Sequence, residues 1–289
     1  MTRTIDDELV QRALDAAGVI AERVGTGRVE PVFLHRSEHI SVLLPSMATV
    51  ARMRVDTGSE TAEGLRRELA VTRYLAQKQA PIVAPSTVFS AGPHFHDGFA
   101  MTLWPYAEHD VFDEENSAHI ASAAKALRAV HVAFADYPHA LPNYGAKIDA
   151  CGALLADGSK LPALAEADRV ILLDIYTHLA RSLASFSIDA VPIHGDCQAG
   201  NVLMTADGAR WTDFESASVG PREWDILWMH DPIIFEPYDR NLFAVLLDLR
   251  SVCVSVWCWA LAHIPEKREA AEVHLDYLKT RYSPLSRRV

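Results

Sequence analysis

The chain has 289 residues, 49% of them hydrophobic, and a formal net charge of −11 at pH 7. This length and apolar content exclude a disordered protein and are enough for a substantial core divided between two lobes. The acidic balance argues against nucleic acid as a partner, because phosphate backbones recruit Lys and Arg, and it suits a cationic small molecule.

The first part of the chain reads as a helix, a group of strands and a second helix. An apolar stripe predicts a helix over 5–24, and strand-like runs follow at 29–34, 40–44 and 49–55. A second helix is predicted from about 59 to 79, preceded by residues suited to capping it.

Glu68 stands out in this second helix, because it falls on the apolar face that contains Leu65, Leu69 and Leu75. A buried carboxylate without a partner is costly. The residues three and four positions away include no cation, so the helix itself offers no ion-pair partner. We therefore expect Glu68 to pair with a cation from another element.

The middle of the chain contains further strands and two long helices. The predicted elements are a strand opening at 81–85, a loop at 94–98, a strand at 99–103, a helix at 117–136, a loop-rich connection at 143–159 and a helix at 164–186.

The stretch from His194 to Asp213 combines a polar loop with a predicted β-hairpin. Asp207-Gly208 lies between two strand-like runs, which is a strong hairpin signal. If Asp207 and Gly208 are the central turn residues, Val202 faces Asp213; if the turn centres one residue earlier, Gly200 does. Either register brings Asn201 within one residue of the position opposite Asp213, with Asp196 five residues upstream.

This arrangement resembles the aminoglycoside phosphotransferase family, the small-molecule kinases that share the protein-kinase fold. The resemblance rests on His194-Gly195-Asp196, on Asn201, and on Asp213-Phe214-Glu215. It implies a bilobal protein-kinase-like α+β fold, with a small antiparallel-sheet lobe at 1–104 and a larger, mainly helical lobe at 105–289.

The resemblance also implies how the loop and hairpin act in phosphoryl transfer. Asp196 would accept or orient the proton of the attacking hydroxyl, as the catalytic residue. Asn201 and Asp213 would hold Mg²⁺, which prefers hard oxygen ligands shared with phosphates and water. The phosphoryl donor would be ATP, with GTP as the alternative.

On the nucleotide side, Arg52 occupies the place of the kinase lysine in the third strand. A guanidinium can pair with phosphate oxygens in a bidentate fork. Arg54 points to the same side of the strand, so the sequence leaves both arginines open. The fold would bring Arg52 to Glu68, which makes the two a predicted ion pair at the nucleotide site.

Three further residues are expected near the nucleotide. The loop at 35–39 has no glycine, and we expect Ser37 with nearby backbone amides to serve in place of a glycine-rich loop. Trp104-Pro105-Tyr106 follows a strand where a kinase hinge joins the lobes. Because Pro105 lacks an N–H, adenine contacts should fall around Trp104 and Tyr106.

After the hairpin, the resemblance gives Asp225 a structural role, holding the backbone of the catalytic loop. Two helices, at 239–263 and 266–282, would build the acceptor pocket. Asp231, Glu236 and Asp239 lie in the loop that leads into them.

The predicted activity is Mg²⁺-dependent transfer of a γ-phosphoryl group to a hydroxyl of a small molecule. The acceptor would be an aminoglycoside-type or other antibiotic, or a metabolite such as choline, homoserine or a sugar. A binding-only pseudokinase is an alternative, against which the intact Asp196, Asn201 and Asp213 argue. A protein kinase is another, disfavoured by the missing glycine-rich loop.

We expect a cytoplasmic protein with no membrane partner. The first eight residues are acidic and contain no apolar core, so they do not resemble a signal peptide. The most apolar run near the C-terminus, 251–262, is too short to span a bilayer. The four cysteines show no Cys-x-x-Cys pairing, which favours reduced thiols.

Overall fold

The computed structural model describes residues 5–25, 29–36, 39–228, 235 and 237–283. Its elements are α1 (Ile5–Arg23), β1 (Val32–Arg36), β2 (Ile40–Leu44), β3 (Thr49–Arg54), α2 (Ser59–Gln77), β4 (His94–His96), β5 (Phe99–Pro105), α3 (Ser117–Phe134), α4 (Gly145–Ala156), α5 (Glu166–Leu183), β6 (Val191–Ile193), β7 (Val202–Thr205), β8 (Gly208–Trp211), β9 (Ser218–Gly220), α6 (Arg222–Ile226), α7 (Arg240–Ala260) and α8 (Pro265–Arg281).

The chain divides into two compact units, and unit 1 comprises residues 1–139 with 196–217. Strands β1 to β5 form an antiparallel five-stranded sheet in the order β1-β2-β3-β5-β4, and β7 and β8 form a separate two-stranded sheet. One face of the sheet, including Ala51 and Met53, is buried against the alanine-rich side of α1. Because side chains alternate along a strand, Arg52 and Arg54 lie on the opposite face.

Unit 2 comprises residues 140–195 with 218–289. Its core is formed mainly by the apolar sides of α4, α5, α7 and α8. Strands β6 and β9 pair antiparallel. At the end of this pair, Gly220 has no room for a side chain, because a Cβ there would lie 2.6 Å from the ring of Tyr144.

The two-residue hairpins β7–β8 and β4–β5 of unit 1 differ in their central turn residues. In the β7–β8 hairpin Thr205 pairs with Gly208, so Ala206 and Asp207 are the central turn residues and the earlier of the two registers is present. His94–His96, interpreted from the sequence as part of a loop, is instead strand β4. Its hairpin with β5 turns at Asp97-Gly98, where both residues have positive φ, as a type I′ turn requires.

Two other predicted segments were wrong. The strand predicted at 81–85 is reduced to an isolated bridge between Ile82 and Trp211, because Pro81 and Pro85 lack the N–H groups that a sheet needs. The connection at 143–159, predicted to be loop-rich, contains helix α4. The buried residues Ile148, Cys151 and Leu155 lie at helical spacing on one of its faces.

Helix α7 is longer than the apolar run recognised in the sequence. It has 21 residues and is long and apolar enough, by length and composition, to cross a membrane. Most of its apolar window is buried within the protein, as in a core helix. Its buried Asp248 accepts hydrogen bonds from Tyr277 and Arg281 of α8, and from Tyr282 just after it. These polar contacts and the surrounding apolar core account for its composition.

Candidate functional site

Asp196 lies in the loop before β7, and two side-chain amides of the same loop hold its carboxylate. Asn201 Nδ2 donates to the backbone oxygen of Asp196 at 2.8 Å and to Oδ2 at 3.2 Å. Gln198 Nε2 donates to the same Oδ2 at 3.1 Å. Because its amide nitrogen is used in this way, Asn201 presents its amide oxygen as the remaining acceptor.

Asp213 follows β8 in a backbone conformation that few non-glycine residues adopt. Its φ of 65° and ψ of 59° place it in the left-handed region. The hairpin pairing continues just beyond the strands, because the Thr212 amide donates to the Asn201 carbonyl at 3.0 Å. Asn201 and the residue before Asp213 are therefore in direct contact, as the hairpin predicted, and the left-handed turn sets the direction of the Asp213 carboxylate.

The Arg52 guanidinium, on β3, joins several parts of unit 1. Nη1 donates to Glu68 Oε1 on α2 at 2.8 Å, and Nη2 donates to Asp213 Oδ2 at 2.7 Å. Glu68 is 1% exposed, whereas Arg52 and Asp213 are each 18% exposed. The predicted pairing of Glu68 with Arg52 is present, and the same guanidinium also reaches Asp213.

The neighbouring charges and burial shift the pKa values of Arg52 and Glu68. The pKa of Arg52 lies above its ordinary value, because the nearby carboxylates of Glu68, Asp213 and Glu215 outweigh the opposing effect of burial. Burial, opposed by the charge of Arg52, raises the pKa of Glu68 to about 7. Three carboxylates thus act on Arg52, and one of them, Glu215, is itself paired with Arg54.

Glu215, two residues after Asp213, is a second centre of contacts. Its carboxylate accepts from Arg54 Nη1 at 2.8 Å and contacts His39 Nε2 at 3.1 Å. Its backbone oxygen accepts from Arg67 Nη2 at 2.8 Å. A Cβ on Gly64 of α2 would lie 3.1 Å from Glu215 Cγ and Oε1, so the glycine allows this close approach. Burial tends to raise the pKa of Glu215, but His39 and Arg54 outweigh it and the pKa is lowered.

Asp225, in unit 2, holds the backbone of the two residues that precede Asp196 in the chain. Its carboxylate is fully buried. Oδ2 accepts from the His194 amide and Oδ1 from the Gly195 amide, both at 2.8 Å. Gly195 has a φ of 85°, which glycine adopts without strain. The structural role predicted for Asp225 is confirmed.

The sequence matches a known protein family over most of its length. The model of the phosphotransferase enzyme family covers residues 48–259, well over half of the chain. The chain belongs to the phosphotransferase enzyme family. A search of curated protein sequences finds no significant match.

Similar solved structures cover nearly the whole of this phosphotransferase-family chain. The GDP complex of wild-type aminoglycoside 2'-phosphotransferase-IIIa is 12% identical, with a TM-score of 0.65, covering 95% of this chain and 99% of that one. Amicoumacin kinase hAmiN in complex with AMP-PNP, Ca²⁺ and Ami is 12% identical, with a TM-score of 0.66 and coverages of 95% and 96%. Choline kinase LicA from Streptococcus pneumoniae is 14% identical, with a TM-score of 0.65 and coverages of 91% and 98%. The predicted family and the bilobal protein-kinase-like fold are confirmed.

The other predicted site residues of this phosphotransferase-family chain lie outside the described residues or make contacts of their own. Ser37, Asp231 and Glu236 lie outside the residues that the structure describes. Asp239 caps α7, where its carboxylate accepts from two backbone amides.

The predicted hinge residues have contacts of their own. Trp104 is buried, and its indole N–H donates to Thr102 at 2.8 Å. Tyr106 is 44% exposed, and its amide donates to the Ala48 carbonyl at 2.7 Å. The adenine contacts expected around Trp104 and Tyr106 therefore remain a prediction, and the Tyr106 amide is engaged within the protein.

Sequence reasoning missed Gln198, His39 and the role of Glu215. Gln198 lies two residues after Asp196, and a side-chain amide so close to a predicted catalytic carboxylate was an available signal. His39 is separated from Glu215 by 176 residues, and nothing in the local pattern of either residue indicates the other.

Proposed function

We propose that the protein transfers the γ-phosphoryl group of ATP, or of GTP, to a hydroxyl of a small molecule in a Mg²⁺-dependent reaction. The observation that carries this proposal is the arrangement in unit 1: Asp196 held by Asn201 and Gln198, and Asp213 held by Arg52. Phosphoryl transfer needs mainly positioning and neutralisation of phosphate charge, and these residue types supply both.

Asn201 and Asp213 suit a hard divalent cation. The Asn201 amide oxygen and the Asp213 carboxylate are oxygen donors of the kind Mg²⁺ takes together with phosphates and water. When bound, the ion would supply charge neutralisation on the phosphate oxygens. The similarity to hAmiN, whose complex holds AMP-PNP and Ca²⁺, is consistent with nucleotide and divalent-metal use.

The other residues act through position and charge. Asp196 accepts or orients the proton of the acceptor hydroxyl, and the two amide donors on Oδ2 fix the direction of its carboxylate. Arg52, aimed by Glu68, pairs with phosphate oxygens. Backbone groups around Trp104 and Tyr106 meet the adenine, with a donor other than the Tyr106 amide, and Ser37 serves in the nucleotide loop.

The acceptor is proposed to be a hydroxylated small molecule, with aminoglycoside-type antibiotics as the first candidates. One similar structure is a GDP and kanamycin complex, and another is a choline kinase. The net charge of −11 suits amine-bearing acceptors of either kind. We place the protein in the cytoplasm, where ATP is available; its four cysteines, all among the described residues, form no disulfide.

A nucleotide-consumption screen tests this function. The purified protein is incubated with ATP or GTP and a panel of hydroxylated antibiotics, choline, homoserine and sugars, with and without Mg²⁺. We expect acceptor-dependent release of ADP or GDP that requires Mg²⁺. Asp196→Asn is the matched control, because it keeps the shape of the side chain and removes its charge. Nucleotide release that is independent of every acceptor and unchanged in Asp196→Asn would contradict the proposal.

A further inference from the structure

His39 lies just before β2, is 7% exposed, and directs its two ring nitrogens at two charged residues of unit 1. Nδ1 lies 3.4 Å from Arg52 Nη2, and Nε2 lies 3.1 Å from Glu215 Oε2. A guanidinium can only donate, so the contact with Arg52 requires Nδ1 to accept. The ring proton is then on Nε2, which donates to Glu215.

Arg52 has two other partners besides His39. Its Nη1 is held by Glu68, and its Nη2 is shared between Asp213 and His39. Asp213 is the carboxylate proposed above to hold Mg²⁺, so Arg52 and the ion compete for the same negative charge. Mg²⁺ prefers oxygen ligands. His39 Nδ1 would therefore still accept from Arg52 when the Asp213 carboxylate binds the ion.

His39 is itself held in place. Glu215, which accepts from its Nε2, also accepts from Arg54 at 2.8 Å. Gly64 leaves room for the Glu215 carboxylate against α2. The orientation of the imidazole is therefore set by a carboxylate that is fixed from two other elements, in the way that a second partner orients a metal-ligating histidine.

We propose that His39 is a positioning residue for nucleotide binding: it holds the Arg52 guanidinium in the orientation that receives phosphate oxygens, and Glu215 and Arg54 hold His39. This inference rests on the nucleotide-binding role proposed for Arg52 and the metal-binding role proposed for Asp213. It assigns a function to a side chain whose contacts are with Arg52 and Glu215.

The test compares His39→Leu, His39→Asn and His39→Gln with the wild-type protein. Calorimetric titration with a non-hydrolysable ATP analogue is carried out at several Mg²⁺ concentrations, together with steady-state kinetics and thermal unfolding. We expect His39→Leu to weaken nucleotide affinity about tenfold, as for loss of a hydrogen bond to a charged group. It should also require more Mg²⁺ for half-maximal binding, because Arg52 then depends more on Asp213. The KM for nucleotide should rise more than kcat falls.

The two amide variants separate positioning from packing. The Asn side chain places its oxygen near the position of Nδ1 and should restore most of the affinity, whereas the Gln side chain reaches the position of Nε2 and should restore less. His96→Leu is the matched control. His96 lies on β4, the edge strand at the opposite end of the sheet from β1, and this variant should bind nucleotide as the wild type does.

Several results would overturn the inference. Wild-type affinity and Mg²⁺ dependence in His39→Leu would do so, as would equal losses in His39→Asn and His39→Gln. If His39→Leu does not fold, the comparison of the two amide variants decides. A wild-type protein that binds nucleotide but phosphorylates no acceptor contradicts the proposed function alone, and the binding comparison still decides the role of His39. A wild-type protein that does not bind nucleotide contradicts both.

Discussion

Replacement of Arg52 by Met should destabilise the protein strongly, because it leaves Glu68 buried without its cation. Glu68 is 1% exposed and lies 2.8 Å from Arg52 Nη1. Removing one partner of a buried ion pair costs about 3–5 kcal/mol. Glu68→Met should cost less, about 1.5–3 kcal/mol for the lost charged hydrogen bond, because Arg52 keeps its contact with Asp213.

The double variant should lose less free energy of unfolding than the sum of the losses in the two single variants. With both side chains replaced by Met, the buried Glu68 carboxylate is absent and the cost of leaving it without its cation is removed, so we expect a coupling free energy of about 1–3 kcal/mol. Denaturant unfolding of the four proteins without nucleotide measures this coupling. Arg54→Met is the matched control, because Arg54 contacts Glu215; with Glu68→Met its effects should add to within about 0.5 kcal/mol. A coupling free energy below about 0.5 kcal/mol between Arg52 and Glu68 would refute the ion pair.

The loss of stability caused by Arg52→Met should depend on pH. The pKa of Glu68 is raised in the folded protein to about 7, so the folded state binds more protons than the unfolded state above the ordinary Glu pKa. This contribution to stability is greatest at low pH and is lost as the pH rises to about 7. Without Arg52 the folded pKa rises further and the loss continues above 7. The cost of Arg52→Met should therefore be larger at about pH 8 than at about pH 6, and a smaller cost at the higher pH would contradict the electrostatic reasoning.

Three other predictions concern the loop and the hairpin. Asp196→Asn should remove turnover but leave nucleotide affinity nearly unchanged in calorimetric titration, because the residue is assigned to the acceptor; an equal loss of affinity would make it a metal ligand instead. Asp213→Ala should weaken Mg²⁺-dependent nucleotide binding more than Asn201→Ala, because a carboxylate contributes a full charge to the ion, and the reverse order in the same titration would reject the assignment. Asp225→Ala should lower the free energy of unfolding by about 2–5 kcal/mol, because two buried amides lose a charged acceptor; a change below about 0.5 kcal/mol in denaturant unfolding would be inconsistent with this.

Local patterns were sufficient for the parts of the site that depend on neighbouring residues. The Asp207-Gly208 hairpin signal placed Asn201 beside the residues that lead into Asp213, although the turn itself centres on Ala206 and Asp207. The position of Glu68 on an apolar helix face indicated a buried partner, because no cation on the same helix is close enough. Each of these inferences uses a physical constraint that acts within one hairpin or one helix.

Contacts between distant segments were not accessible in this way. The contacts of His39 and Arg54 with Glu215 join the residue before β2, and β3 itself, to a turn more than 150 residues later, and no periodicity links such positions. The residues alone left both Arg52 and Arg54 open for the place of the kinase lysine, since both lie on one face of β3; the resemblance favoured Arg52, which the structure pairs with Glu68. Helix α4 was missed because its first residue is glycine and its N-cap, Tyr144, makes no side-chain cap, so the usual start signal is absent from this described segment.

The most direct test of the central claim is to identify the phosphorylated product. An acceptor that stimulates nucleotide consumption is incubated with Mg²⁺ and ATP labelled in the γ-phosphoryl group, and the acceptor is analysed by mass spectrometry and NMR. We predict that the wild-type protein transfers the labelled phosphoryl group to one hydroxyl of the acceptor and that Asp196→Asn forms no product. Labelled inorganic phosphate with an unmodified acceptor, or equal product from Asp196→Asn, would contradict the proposed reaction.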